Sequence, residues 1–189
     1  MAKKQTKNNA LRALFVYNAV FVMAISMLGP LYAVYVEKFV DGVTAITISW
    51  AAFLISTSVF TYIVSKTGDR MKEKKHLMLA GYLARMLGWI LLIFVHSLET
   101  LILVQVLLGI GEALGTPAFH AIFAEHLDRN EHIREYSNWL LIANITSAIG
   151  IILGGIVVDN LGFRTLFLIM ATLSMVTFFG ILFKPKKLL

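Results

Sequence analysis

Six runs of about twenty apolar residues follow one another with only short polar joints, and they leave this chain one environment in which to fold. The runs lie at about 11–36, 44–64, 76–95, 100–124, 136–158 and 163–183. Crossing roughly 30 Å of hydrocarbon as a helix takes about 20 residues. The runs therefore predict an all-α integral membrane protein of six transmembrane helices, a single domain over 1–189. Composition agrees: 58% of the residues are hydrophobic and 15% charged, where a soluble domain carries about a quarter charged. Cysteine is absent, which removes disulfides, thiolate catalysis and cysteine-based metal sites.

The start, MAKKQTKNNALRALFVYNAVFVMA, has the basic and then apolar order of a secretory signal. The apolar run continues through Gly29 and Pro30 to about Val36, too long for such a signal, and five more runs follow. Charge placement sets the expected orientation. With the N-terminus inside, Lys3, Lys4, Lys7 and Arg12, then Lys66, Arg70, Lys72, Lys74 and Lys75, then Arg129 and Arg134, then Lys184, Lys186 and Lys187 all fall on the cytoplasmic side. Only Lys38 and Arg164 fall outside, and Arg85 lies within a span. The bias predicts both termini in the cytoplasm. It gives the excess of 17 Lys and Arg over 11 Asp and Glu a topological meaning rather than one of nucleic-acid binding. A bacterial-type plasma (inner) membrane is the expected location, with the lipid bilayer as one partner. There is no phosphate-binding G-x-x-x-x-G-K-[ST] and no His-Glu-x-x-His, so neither an enzyme nor a cofactor or metal is expected.

Asp69 follows the second run at the distance at which Asp159 follows the fifth, in similar strings: Ser65-x-x-x-Asp69-x-x-Lys72-x-Lys74 and Gly155-x-x-x-Asp159-x-x-Gly162-x-Arg164. Pro30 and Pro117 also lie late in the first and fourth runs. Three being odd, segments 1–95 and 96–189 would run in opposite senses, an inverted 3+3 repeat of the kind that builds many secondary transporters.

The loop with Asp69, Arg70, Lys74 and Lys75 resembles the signature G-x-x-x-D-R/K-x-G-x-R/K-R/K of the major facilitator superfamily, departing at Ser65 and Lys72 where that family prefers glycine. The second copy, Gly155, Asp159, Gly162 and Arg164, supplies both glycines and continues as LGFRTLFLI, similar to the family's start of a sixth helix. The fourth run has the family's glycine spacing but Gln105 where an arginine is common. The resemblance covers nearly the whole chain yet half of a family member, which has twelve helices in two halves. It implies a homodimer, or a separately encoded second half. It also implies that Asp69 meets the positive end of a helix in the other half as a cytoplasmic latch, with Glu125, Arg129 and Arg134 in the connection that pairs with this loop. The first and fourth helices would line the cavity, which makes Tyr17, Asn18 and His120 candidate substrate contacts.

Arg85 and Glu112 both fall near the expected bilayer centre, where a charge costs at least about 2.5 to 3.5 kcal/mol. Pairing relieves that cost, and Glu112 becomes the candidate proton-coupling or substrate-binding carboxylate, a static structural pair being the alternative. Asn144 lies at a depth like that of Asn18, and interhelical hydrogen bonding is an equal reading for both. Gly109, Gly111, Gly115 and the run 150–155 have the spacing for close helix approach. The function expected is a secondary active transporter, such as an antiporter, moving a small solute by alternating access and coupled to protons. The alternatives are a non-transporting scaffold or regulatory partner, or a fragment of a twelve-helix transporter.

Overall fold

The computed structural model describes residues 2–68, 74–127 and 131–184. Every regular element among the described residues is helical: α1 (Ala2–Leu28), a 3-10 turn (Gly29–Leu31), α2 (Tyr32–Val36), α3 (Val43–Thr67), α4 (Lys74–Leu92), α5 (Leu98–His126) and α6 (His132–Leu182). The two prolines act differently. Pro30 stands in the 3-10 turn that separates α1 from α2, as a residue with no N–H to donate must disturb the ladder. Pro117 lies inside an uninterrupted α5. Helix α5 opens on a capping box, in which the Ser97 side chain accepts from the Thr100 backbone N–H and Thr100 answers to the Ser97 N–H.

The fifth and sixth apolar runs join in α6, whose 51 residues would stretch about 77 Å if straight. The chain instead turns at Gly162, where φ is +78° and the backbone leaves the helix, a conformation open to glycine without strain. Contacts with α1 give the geometry. Before the turn, the Trp139 ring lies 5.5 Å from that of Phe15. After it, Thr177 Oγ1 donates to the Tyr17 carbonyl at 3.2 Å. Both arms of α6 thus reach the same end of α1, while Phe163, beside the turn, lies 5.3 Å from Tyr35 at the other end. The arms are antiparallel.

Four helical stretches among the described residues are long and apolar enough to cross a bilayer: Arg12–Val36, Val43–Thr67, Leu98–His126 and His132–Leu182. The third run forms α4, which does not meet that measure. It ends at Leu92 and carries Lys74, Lys75 and Arg85. Helix α4 is nonetheless deeply enclosed, burying Met78, Leu79, Tyr82, Arg85, Trp89 and Leu92 between α5 and α6.

The remaining contacts pair α1 with α6 and α3 with α5. Glycine sets how closely they approach. A Cβ on Gly81 would come within 2.5 Å of the Gly115 Cα, so α4 and α5 cross backbone to backbone. A Cβ on Gly154 would collide with the Met27 carbonyl of α1, whereas one on Gly155 would meet open space. Small residues at such crossings let van der Waals contact and weak polar contacts hold helices together where water provides no drive.

The neighbouring glycines therefore make a controlled pair. Gly154→Leu should cost about 1 to 3 kcal/mol by overpacking and lower the thermal transition of the purified protein, while Gly155→Ala leaves it unchanged. Equal transitions in the two variants would show that α1 and α6 do not meet at Gly154.

Candidate functional site

Glu112 stands at the middle of α5 and faces α4. Arg85 Nη2 donates to Glu112 Oε2 at 2.5 Å and to Thr116 Oγ1 at 3.1 Å, and the Thr116 hydroxyl donates to Glu112 Oε1. Both carboxylate oxygens are thus engaged. The guanidinium also lies over the Phe21 ring of α1, 4.9 Å from its centre, a favourable placement for a cation on an aromatic face. Glycines make room for this. Gly111 lies where a Cβ would sit 2.8 Å from Arg85 Cγ. One turn along α4, the Tyr82 hydroxyl donates to Asn18 Oδ1 at 3.0 Å, its ring packs 4.3 Å from Phe21, and its carbonyl accepts from Ser174 of α6 at 3.0 Å.

Two hollows flank the pair. One, of about 310 Å³, is lined by Asn18, Tyr82, Thr116, Phe119, His120 and Trp139 among others. The second, of about 130 Å³, is lined by Tyr32, Trp50, Phe53, Trp89 and Gln105 among others. Arg85 and Glu112 line both. Along each of α1, α4 and α5 the two linings succeed one another, and they overlap at Ile25, Arg85 and Glu112. The ion pair therefore stands at the division between a His120 hollow and a Trp50 hollow. The side chains are not equally accessible: Glu112 is 30% exposed and Arg85 only 6%. Of the two, Glu112 is the side chain more accessible to the hollows.

The structure brings Arg85, Glu112, Asn18 and His120 together at this site. It sends Tyr17 and Asn144 elsewhere. Tyr17 packs its ring on Gly180 of α6, with Lys184 above it at 5.6 Å, and lines neither hollow. Asn144 is exposed on the first arm of α6. Tyr82 and Thr116 join the site without a sequence signal of their own, although they stand three residues before Arg85 and four after Glu112, the spacings that share a helix face.

Of the charged residues expected to form a gate, Asp69 and Arg70 lie outside the described residues. Lys74 forms an ion pair with Glu125, tying the start of α4 to the end of α5. Lys75 is buried rather than at a gate surface: its Nζ donates to the carbonyls of Lys184 at 2.7 Å and Leu182 at 3.1 Å. A cation there caps the C-terminal carbonyls of α6 and meets the negative end of its dipole. Arg134 pairs with Glu131, three residues before it, at 3.4 Å on the surface. In the second signature copy, Gly162 forms the turn of α6, and Asp159 and Arg164 are exposed to either side of it.

Removing one partner of a buried pair leaves an uncompensated charge. Arg85→Met should destabilise the protein by about 3 kcal/mol or more, and the double variant Arg85→Met/Glu112→Gln should recover most of that loss. Additive losses, measured by detergent-induced unfolding of the single and double variants, would mean that the two groups do not compensate each other.

A profile of the Major Facilitator Superfamily matches residues 14–188. The fold is similar to that of the POT family transporter PepTSo, as seen in its in meso crystal structure. The TM-score is 0.74 and the sequence identity 15%, and the match covers 92% of this chain and 37% of that one. At that identity the likeness concerns the fold alone, and the chain spans well under half of the PepTSo chain. The family match extends over nearly the whole sequence, both signature copies included. This all-helical integral membrane chain belongs to the major facilitator superfamily, a family of transporters.

Proposed function

We propose that the chain is one half of a secondary active transporter that moves a small solute by alternating access, with Glu112 carrying the coupling proton. Six crossings arranged as an inverted 3+3 repeat, with both termini in the cytoplasm of a bacterial-type inner membrane, provide the frame. The observation that carries this reading is an ion pair at the division between two hollows, with Glu112 lining both. A carboxylate so placed can exchange Arg85 for a proton. In the charged form it holds α5 to α4 and α1; in the protonated form it releases the guanidinium, and the two hollows cease to be separated by a fixed charge pair. A proton and a solute that compete for Glu112 are coupled without any direct contact between them, which is the chemistry of an antiporter.

Packing supports the repeat. Exchange of the first three crossings with the last three maps the contact of α1 with the first arm of α6 onto the contact of α5 with α3, and both are present. Two features support a second half. The hollows open in part at the surface of this chain, and the chain covers 37% of PepTSo. A second copy in the same orientation, related by a two-fold axis along the membrane normal, would close the pathway. In that assembly Asp69 latches the cytoplasmic side against the partner's α6, which begins at His132, using the positive dipole end of that helix.

Purified protein in proteoliposomes tests the reading. A pH gradient should drive solute flux, and the double variant Arg85→Met/Glu112→Gln, which leaves no buried charge unpaired, should lower it by at least about tenfold with expression and oligomeric state unchanged. Full flux in that variant would remove the carboxylate from the coupling, and a monomer that moves nothing would return the chain to a scaffold. Asp69→Asn should lower flux without disturbing insertion; unchanged flux would leave its loop a topology signal.

A further inference from the structure

The Trp50 hollow has a chemical character that goes beyond a generic solute site. Its walls are aromatic. The Tyr32 and Trp50 rings lie 5.3 Å apart, Trp50 and Phe53 lie 5.4 Å apart, and Trp89 faces the same space. Two of its polar groups are already engaged within the chain. The Tyr32 hydroxyl pairs with Ser49 at 2.6 Å, and the guanidinium is held by Glu112 and Thr116. Of the two charged side chains that line the space, Glu112 is the more accessible, at 30% exposure against 6% for Arg85. A polyhydroxylated solute needs many donors and acceptors, and this surface offers few. An anion would meet the carboxylate rather than the guanidinium behind it. A cation with an apolar body meets opposite charge at one end and ring faces at the other, and an aromatic face attracts a cation by about 0.5 to 2 kcal/mol.

We propose that the Trp50 hollow binds a small lipophilic organic cation, its charge directed at Glu112 and its apolar part against Tyr32, Trp50, Phe53 and Trp89. Such a cation is the substrate class of the site described under Proposed function, and only the steps after binding rest on that reading. The neutral pair of Arg85 and Glu112 is an advantage here. Arg85 answers the Glu112 carboxylate within the chain, so the hollow holds an acid without a bare buried ion. Arrival of the cation makes it a second counter-ion, which loosens the hold on Arg85. Protonation of Glu112 abolishes the attraction and expels the cation.

Three probes of one shape separate charge from fit: benzyltrimethylammonium, its neutral isostere neopentylbenzene with carbon in place of the charged nitrogen, and the anion benzylsulfonate. Titration calorimetry on the purified full chain in nanodiscs should show saturable binding of the cation and at least tenfold weaker binding of the other two. The double variant Arg85→Met/Glu112→Gln, which leaves no charge unpaired, should weaken the cation by about tenfold or more and bring it level with the neutral probe. Trp50→Ala, at a side chain 46% exposed and so little needed for packing, should weaken it roughly fivefold with an unchanged thermal transition. Equal or tighter binding of the neutral or anionic probe, no binding of the cation, or an unaffected Trp50→Ala would each overturn the inference. Cation binding without any flux would leave it standing and remove the transporter reading. Proton-driven flux of another solute with no cation binding would do the reverse.

Discussion

A guanidinium inside a helix bundle in hydrocarbon must have its charge answered within the bundle, and the arrangement around Arg85 reflects that requirement. Its answer comes from one helix, through Glu112 and Thr116 of α5, with the Phe21 ring of α1 beneath it. For those groups to reach Arg85, α4 and α5 must lie closer than ordinary side chains permit. Gly81 and Gly115 provide the crossing, and Gly111 makes room for the arginine stem. The close approach and the ion pair are a single construction. The glycines would have little reason to sit on that face without the arginine, and the arginine would be intolerable there without the glycines.

The same construction explains how one chain offers two hollows. Bulky residues lie toward both ends, with Phe15, Phe123 and Trp139 at one and Tyr35, Phe163 and Phe167 at the other. Between these ends the helices are thinned by glycine and tied by polar contacts, so space opens on either side of the ion pair. Helix α4 closes the back of this space and is held by α6 through the bond from Ser174 to the Tyr82 carbonyl and through the cap that Lys75 places on the last turn of α6. Aromatic ends and a polar waist leave the ion pair at the middle of the helices.

Much of this is legible in the order of residues, and the limits of that legibility have physical causes. Arg85 and Glu112 announce each other, because two opposite charges in apolar runs have few other ways to be tolerated. Asn18 and His120 are marked by the family resemblance, which implies that the first and fourth helices line the cavity. Tyr17 has the same depth as Asn18 but stands 100° around the helix, and only the position of the second arm of α6, with Gly180 open to receive the ring, decides that it faces away from the hollows. Lys75 reads as one cation in a charged turn beside Lys74. Its role depends on where a helix end more than a hundred residues later comes to rest, which no local pattern contains. Tyr82 and Thr116 carry no charge to mark them, and their importance comes from the partners they meet.

By itself the sequence determined the solvent, the helical class and the charges that need partners. Those depend on run length, composition and the cost of an ion in hydrocarbon, all of which are properties of residues taken in order. The tertiary structure decided how those charges are shared. It engages both oxygens of Glu112, leaves that carboxylate more exposed than the arginine that supports it, and gathers Tyr32, Trp50, Phe53 and Trp89 from three separate segments around one space. Exposure and enclosure belong to the angles at which helices cross. Those angles arise from glycines on facing surfaces that are distant in the chain and meet only when it is folded.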